Sequence, residues 1–210
     1  MGRPRKDAPG LGAQERLREA FWEALDDRPF AQMTVSDVVS RAQVNRNAFY
    51  YHYPNLHALA EECIATMLPV DIACLLTRVS SITPALLDQL AGAPGRKESM
   101  RRLRCAIGPH GSGVLNDCVK RLAYGVWLDM FSLASGDLTR GEEATVRFAI
   151  AGFMELLGGV MAFSPSDAAQ FFRTAYGSRI IGCAAQALTT AQVRTHPECL
   201  DHSVREAPNT

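Results

Sequence analysis

The sequence predicts an all-α protein in two parts: a three-helix N-terminal unit and a larger helical bundle behind it. Three observations carry that prediction. Apolar residues recur at helical spacing in the longer segments, and no segment shows the sustained alternation of a strand. Capping residues stand at the starts of the short N-terminal segments. Gly and Pro then divide the remainder into runs of roughly 10 to 25 residues. With 210 residues, 47% of them hydrophobic, the chain can bury one core, or a small one plus a larger one.

Residues 1–12, rich in Gly, Pro and basic side chains, read as a mobile arm. From Ala13 to about Asp27, Leu17, Ala20, Phe21, Ala24 and Leu25 fall on one helical face, with charges on the others. Pro29 follows that helix and Phe30 can fold back onto it. Thr34 and Asp37 form a Thr-x-x-acid capping signature for a second helix, whose inward face is Val35, Val38, Val39 and Ala42. Gln43-Val44 make the turn, and Asn45 is a good N-cap for a third helix. Pro54-Asn55 stop that helix, and Asn55 caps a fourth that runs through Leu59 and Ile64 toward Leu68.

Beyond Pro69, breaks are expected at Thr83-Pro84, 92–95, 108–113, Gly136 and Ser164-Pro165. The long helical segments between them are 114–134, 139–163 and 166–188. The predicted domains are therefore a three-helix unit over 13–54, a helical body over 55–188 that opens with a linking helix at 55–68, and a polar tail over 189–210, in which Val193, Cys199 and Leu200 could extend a helix.

Composition excludes several functions. Lys plus Arg balance Asp plus Glu at 22 each, so bulk charge gives no nucleic-acid signature, and any basic surface must be local. No apolar run approaches the ~18 residues needed to span a bilayer, and Met1 to Lys6 lack the apolar core of a secretion signal. The six cysteines (Cys63, Cys74, Cys105, Cys118, Cys183, Cys199) show no metal-finger spacing. They are expected to be reduced, buried thiols, with thiol or metal sensing as the alternative. A cytoplasmic protein with no membrane partner and no cofactor is expected.

The stretch from Thr34 to Tyr53 carries the chemistry. A helix that reads DNA needs an apolar stripe to fix its angle and donors at positions that reach the major groove. Val44, Phe49 and Tyr53 supply the stripe. Asn45, Arg46 and Asn47 stand at the helix start, where Arg can pair bidentately with guanine and Asn with adenine. Tyr50, Tyr51 and His52 point in directions about 100° apart, so one face cannot bury them all, and they can donate to phosphates or lie against thymine methyls. Thr34 and the helix start after Asn55 would grip the backbone on either flank. An ordinary helical hairpin with an aromatic core is the competing reading.

From about Leu17 to Leu59 the chain resembles the TetR/AcrR family of transcriptional regulators. The resemblance lies in Thr34-Val35-x-Asp37-Val38, in Arg41-Ala42-x-Val44 and in Phe49-Tyr50-Tyr51-His52-Tyr53. It implies a helix-turn-helix DNA-binding head, a ligand-binding and dimerising helical body, and a homodimer on a palindromic double-stranded operator. Such proteins are usually repressors released by a small-molecule effector. Three positions depart from the family pattern. Gln43 replaces a usual turn glycine, which predicts a less strained or differently shaped turn. Asn47-Ala48 replace Gly-Thr, exchanging a hydroxyl phosphate contact for a base-reading amide. Leu56 replaces a lysine, with His57 a weak substitute.

Arg3, Arg5 and Lys6 flank Gly2 and Pro4 in an arm that resembles a minor-groove hook; a disordered tail with nonspecific attraction is the alternative. In the body, Tyr124, Trp127, Met130, Phe153 and Met154 are the expected effector lining, although such stripes suit a core equally. Small residues concentrate in the last two long helices (Ala149, Ala151, Gly152, Gly158, Gly159, Ala175, Gly177, Gly182, Ala184, Ala185), where the dimer interface is expected. The basic run Arg96 to Arg104 reads as a solvated helix face, with an anion site or an extra DNA contact as alternatives. An enzyme or a helical adaptor that does not bind DNA are the rival functions. The enzyme lacks a phosphate loop, a nucleophile elbow or a metalloprotease motif.

Overall fold

The structure, a computed structural model, describes residues 12–67, 95–158 and 174–197, with 167, 170 and 171. Arg3, Arg5, Lys6, Cys74, Cys199, Gly159, Thr83-Pro84, Ser164-Pro165 and the tail from 198 lie outside the described residues. Among those described, every regular element is helical. In chain order they are α1 (Ala13–Asp27), α2 (Val35–Ala42), α3 (Arg46–His52), α4 (Leu56–Met67), α5 (Arg96–Ile107), α6 (Gly113–Met130), α7 (Arg140–Gly158) and α8 (Ala175–Thr195).

The head forms around α1. Leu17, Ala20, Phe21, Trp22, Ala24 and Leu25 are buried along one side of it, and α2, α3 and α4 pack against it. Pro29 ends the helix, and a single 3-10 turn over Phe30–Gln32 returns the Phe30 ring to Phe21, 6.2 Å away and edge-on. Local chemistry sets the next boundaries. The Thr34 hydroxyl accepts from the Asp37 amide, and the Asp37 carboxylate accepts from the Thr34 amide at 2.8 Å, closing the expected capping box. Asn45 and Asn55 each accept the amide three residues on, at 2.7 and 2.9 Å.

Two adjacent glutamates fix α4 between head and body. Glu62 faces α1, accepting from Arg18 at 3.0 Å and Gln14 at 2.9 Å. Glu61 accepts from Arg121 of α6 at 2.7 Å. In the body α5, α6 and α7 pack on one another, and α8 packs on α7.

The last helix differs from its expected bounds, while the expected end of α7 at 163 lies outside the described residues. α8 starts at Ala175, where the Thr174 hydroxyl accepts from the Gly177 amide at 3.1 Å. It runs to Thr195, past the expected boundary at 188. The reason is tertiary: Leu188 and Ala191 are buried, and Arg194 pairs with Glu142 of α7 at 2.8 Å.

The small residues also divide. Ala149, Gly177 and Ala184 are buried within the chain, whereas Ala151 and Gly152 are exposed on α7. Gly158 serves the contact between α7 and α5, because a Cβ there would lie 2.3 Å from Ile107 Cγ1. Replacing Gly158 with Ala should therefore cost about 1–3 kcal/mol by overpacking. Ile107→Ala in the Gly158→Ala background should recover part of that loss in urea melts. If Gly158→Ala melts like the parent, the close approach carries no strain.

Candidate nucleic-acid interface

The α2–α3 hairpin is built so that one short rod is anchored by its apolar side alone. Phe49 is fully buried and Tyr53 nearly so, while Val44 packs at the margin of the same core. Burial pushes the Tyr53 phenol up to about 12, so it stays protonated. The 100° step between residues then turns the neighbouring rings outward. Tyr50 is 54% and Tyr51 84% exposed. Tyr51 stands edge-on to the half-buried His52 at 4.9 Å, and Tyr50 edge-on to Phe49 at 5.4 Å. Exposed aromatic rings beside exposed amides suit contacts to sugars, phosphates and thymine methyls rather than a core.

Asn45, Arg46 and Asn47 are all exposed at the start of α3, but they are not equally available. The Asn45 carbonyl oxygen is committed to the Ala48 amide, leaving its NH2 as the group that can reach out. Thr34 is exposed, yet its hydroxyl already donates to Asp37 at 2.7 Å. Its first role is to cap α2, and any grip on a phosphate is added to that. Asn47 carries no such commitment in its geometry.

Arg46 shows a partner that sequence reasoning missed. Its Nη2 donates to Ser36 Oγ of α2 at 2.6 Å. Ser36 lies ten positions upstream, so no local motif pairs the two; the hairpin brings them together. A neutral hydroxyl orients the guanidinium without neutralising it.

The turn corrects an expectation. Gln43 adopts φ 52°, ψ 43°, the left-handed conformation that glycine supplies without steric cost. The turn therefore keeps the glycine-like shape while carrying a Cβ, and it is more strained rather than less. The tight turn between α2 and α3 dictates that geometry, with the Val44 amide donating to Val39 O at 3.1 Å. For an L-residue the left-handed region costs about 1–2 kcal/mol, set against the ~0.5–1 kcal/mol entropic disadvantage of glycine. Gln43→Gly should thus raise stability by about 0.5–1 kcal/mol in denaturant melts. A variant less stable than the parent would show that the Gln43 side chain contributes more than its backbone loses.

Beyond α3, His57 is exposed, with its ring edge against Phe30 at 5.3 Å. Packing there limits its reach toward a phosphate.

The expected effector residues lie on α6 and α7, which pack together. Tyr124, Trp127 and Met154 are buried, and Met130 and Phe153 are half-buried. The Tyr124 hydroxyl and the Trp127 indole N–H are buried with no hydrogen-bond partner among the described residues. Arg147, which the sequence did not single out, places its guanidinium 4.4 Å from the centre of the Tyr124 ring. Burial raises the Tyr124 phenol, so both orphan groups are available as donors.

Among the described thiols Cys63 and Cys118 are buried, but Cys105 is half-buried and Cys183 is exposed, so the expectation of buried thiols holds only in part. Burial pushes Cys63 and Cys118 up, which suppresses the reactive thiolate. Among the described residues no group of three or more His, Cys, Asp or Glu is placed to hold a metal, and no described helix is long and apolar enough to cross a membrane.

Residues 17–63 match the family model described as bacterial regulatory proteins, tetR family. No curated protein matches the chain.

Proposed function

We propose that the chain, whose residues 17–63 match the model of bacterial regulatory proteins of the tetR family, is a homodimeric DNA-binding repressor released from a palindromic operator by a small molecule. The observation that carries the reading is the α3 rod. It is seated on Phe49 and Tyr53 and presents Arg46, Asn47, Tyr50 and Tyr51 to solvent. A core hairpin has no reason to leave two tyrosines outside. A DNA-reading helix needs them there.

The test is selection of bound duplexes from a random pool by the full chain, followed by titration of the preferred sequence. Arg46→Ala should lose about 1–3 kcal/mol for that sequence, roughly 5- to 150-fold, and relax the preference at one base pair. Equal losses on random DNA would mean that Arg46 serves the backbone alone.

Dimerisation is supported by apolar surface on the last two helices. Phe148 on α7 is 73% exposed and Tyr176 on α8 is 77% exposed, with Ile180 and Val193 further along α8. Rings this exposed on two helices packed together suit a self-complementary contact around a two-fold axis. Phe148→Glu with Tyr176→Glu should give a monomer by light scattering at micromolar concentration and abolish cooperative operator binding. A dimer that persists would move the interface elsewhere.

The effector reading draws on the orphan donors of α6. A buried donor without a partner costs about 1–3 kcal/mol, and a bound acceptor would remove that cost. An apolar molecule carrying an acceptor oxygen fits Trp127 and Tyr124, beside an Arg147 whose charge is already paired with Glu143 at 2.8 Å. Binding would tilt α4, which Glu61 ties to the body and Glu62 to the head. The separation of the two reading helices would then leave the ~34–36 Å that one turn of DNA demands.

A further inference from the structure

The basic run of α5 is a solvated face only in part: Lys97, Arg101 and Arg104 are exposed, yet Arg101 and Arg102 cross to the DNA-binding head. Arg102 Nη2 donates to Glu19 Oε2 of α1 at 2.6 Å, and the guanidinium lies 5.6 Å from the centre of the buried Trp22 ring. Arg101 pairs with Asp26, near the other end of α1. Cys105 adds a third contact, its thiol donating to Asp26 Oδ1 at 2.9 Å. Glu98 holds both arginines in place, accepting from Arg101 at 2.7 and 2.9 Å and from Arg102 at 2.6 Å. Those bonds, Arg101's first, bring the Glu98 carboxyl down to about 2, so Glu98 is ionised at neutral pH.

A second set of contacts follows at the end of α5. His110 Nδ1 lies 2.9 Å from the Leu25 carbonyl of α1, and since a carbonyl can only accept, this nitrogen carries the proton. The His110 carbonyl in turn accepts from the Phe30 amide at 2.9 Å. The turn that presents His110 is too tight for a side chain at Gly111, where a Cβ would lie 2.0 Å from Ala106 O.

These contacts grip α1 at Glu19 and again at Leu25 and Asp26, about two turns or ~10 Å apart. Two fixings on one rod set its direction as well as its position. Exposed ion pairs taken singly contribute little stability. Spread along a helix, they constrain orientation. α5 is also keyed into the body, with Leu103, Ala106 and Ile107 buried and Ile107 against Gly158 of α7.

We infer that Arg101, Arg102 and His110 form a latch that sets the orientation of the head on the body through α1, in parallel with α4. Movement of α5 then reaches the reading helix without passing along the linking helix. The inference rests on the two-headed operator reading above and goes beyond it by naming the contact that sets head geometry. With the latch open, each head still fits its half-site. The pair of heads is no longer held at one separation, so the effective concentration of the second head falls.

Two full-chain variants test this from opposite sides. One is Arg101→Ala with Arg102→Ala and His110→Ala. The other is Glu19→Gln with Asp26→Asn, which keeps the volumes and spares Trp22. After circular dichroism has established folding, each is titrated against the selected full duplex, a single half-site, and full duplexes with the half-site spacing changed by one and two base pairs. Amide nitrogen relaxation compares the tumbling of residues 13–54 with that of the body.

The latch predicts a loss of about tenfold or more on the full site, less than twofold on the half-site, and a flatter dependence on spacing. The head should also tumble faster than the body. Equal losses on full and half sites would overturn it, because the damage would then lie within the head. An unchanged spacing profile with unchanged head tumbling would overturn it as well. Should the unaltered chain prefer no duplex, the regulator reading fails, while the relaxation comparison still decides whether α5 holds the head.

Discussion

The burial of Phe49 is the constraint on which the rest of the structure depends. α3 has seven residues, far below the ~12–15 at which an isolated helix becomes even marginally stable in water. Its existence and its direction are therefore borrowed from the head. Asn45 fixes where it starts, and Phe49 with Tyr53 fixes which side faces inward. The outward positions of Arg46, Asn47, Tyr50 and Tyr51 follow from that anchoring, with no separate cause. α1 shares with α2 and α4 the core that receives the anchor, so a movement of α1 reaches the reading surface.

That dependence explains why the head–body contacts matter more than their individual strengths. Glu62 and Glu61, neighbours on α4, pair with α1 and α6 respectively. The α5 arginines reach α1 by a route that does not involve α4. Both connections are made by charged side chains with partial solvent access, and both end on α1. Hydrophobic contacts hold the parts together without direction, while paired charges at separate points along a helix set an angle. The proposed two-headed regulator, whose output would be the distance between its heads, needs the second property more than the first.

The sequence made visible whatever is decided within a few residues. The Thr34–Asp37 box, the Asn45 and Asn55 caps and the reversal of Phe30 onto Phe21 are all local, and each is present as read. The crowding of aromatics in α3 correctly implied that some must face outward. Long-range facts were not legible. The partners of Arg101 and Arg102 lie 75 and 83 positions away, so the basic run looked solvated. The approach of Gly158 to Ile107 and the extension of α8 to Thr195 depend in the same way on neighbouring helices. Gln43 was misread for a different reason: residue type suggested a relaxed turn, but the hairpin dictated the backbone and the residue complied.

Net charge sharpens the account of how the head meets DNA. The chain is neutral, so attraction must come from a few placed cations. Several head arginines are already committed to carboxylates: Arg18 to Glu62, Arg28 to Asp37 and Arg41 to Asp27. These pairs stiffen the scaffold and present little net field. Arg46 differs, because its hydrogen-bond partner Ser36 is neutral. It keeps its full charge while its orientation is fixed, which is the combination that favours a base edge over diffuse attraction. A head so arranged gains little from counterion release at its paired arginines. Its discrimination therefore has to come from the geometry of α3, and that geometry traces back to the buried ring of Phe49.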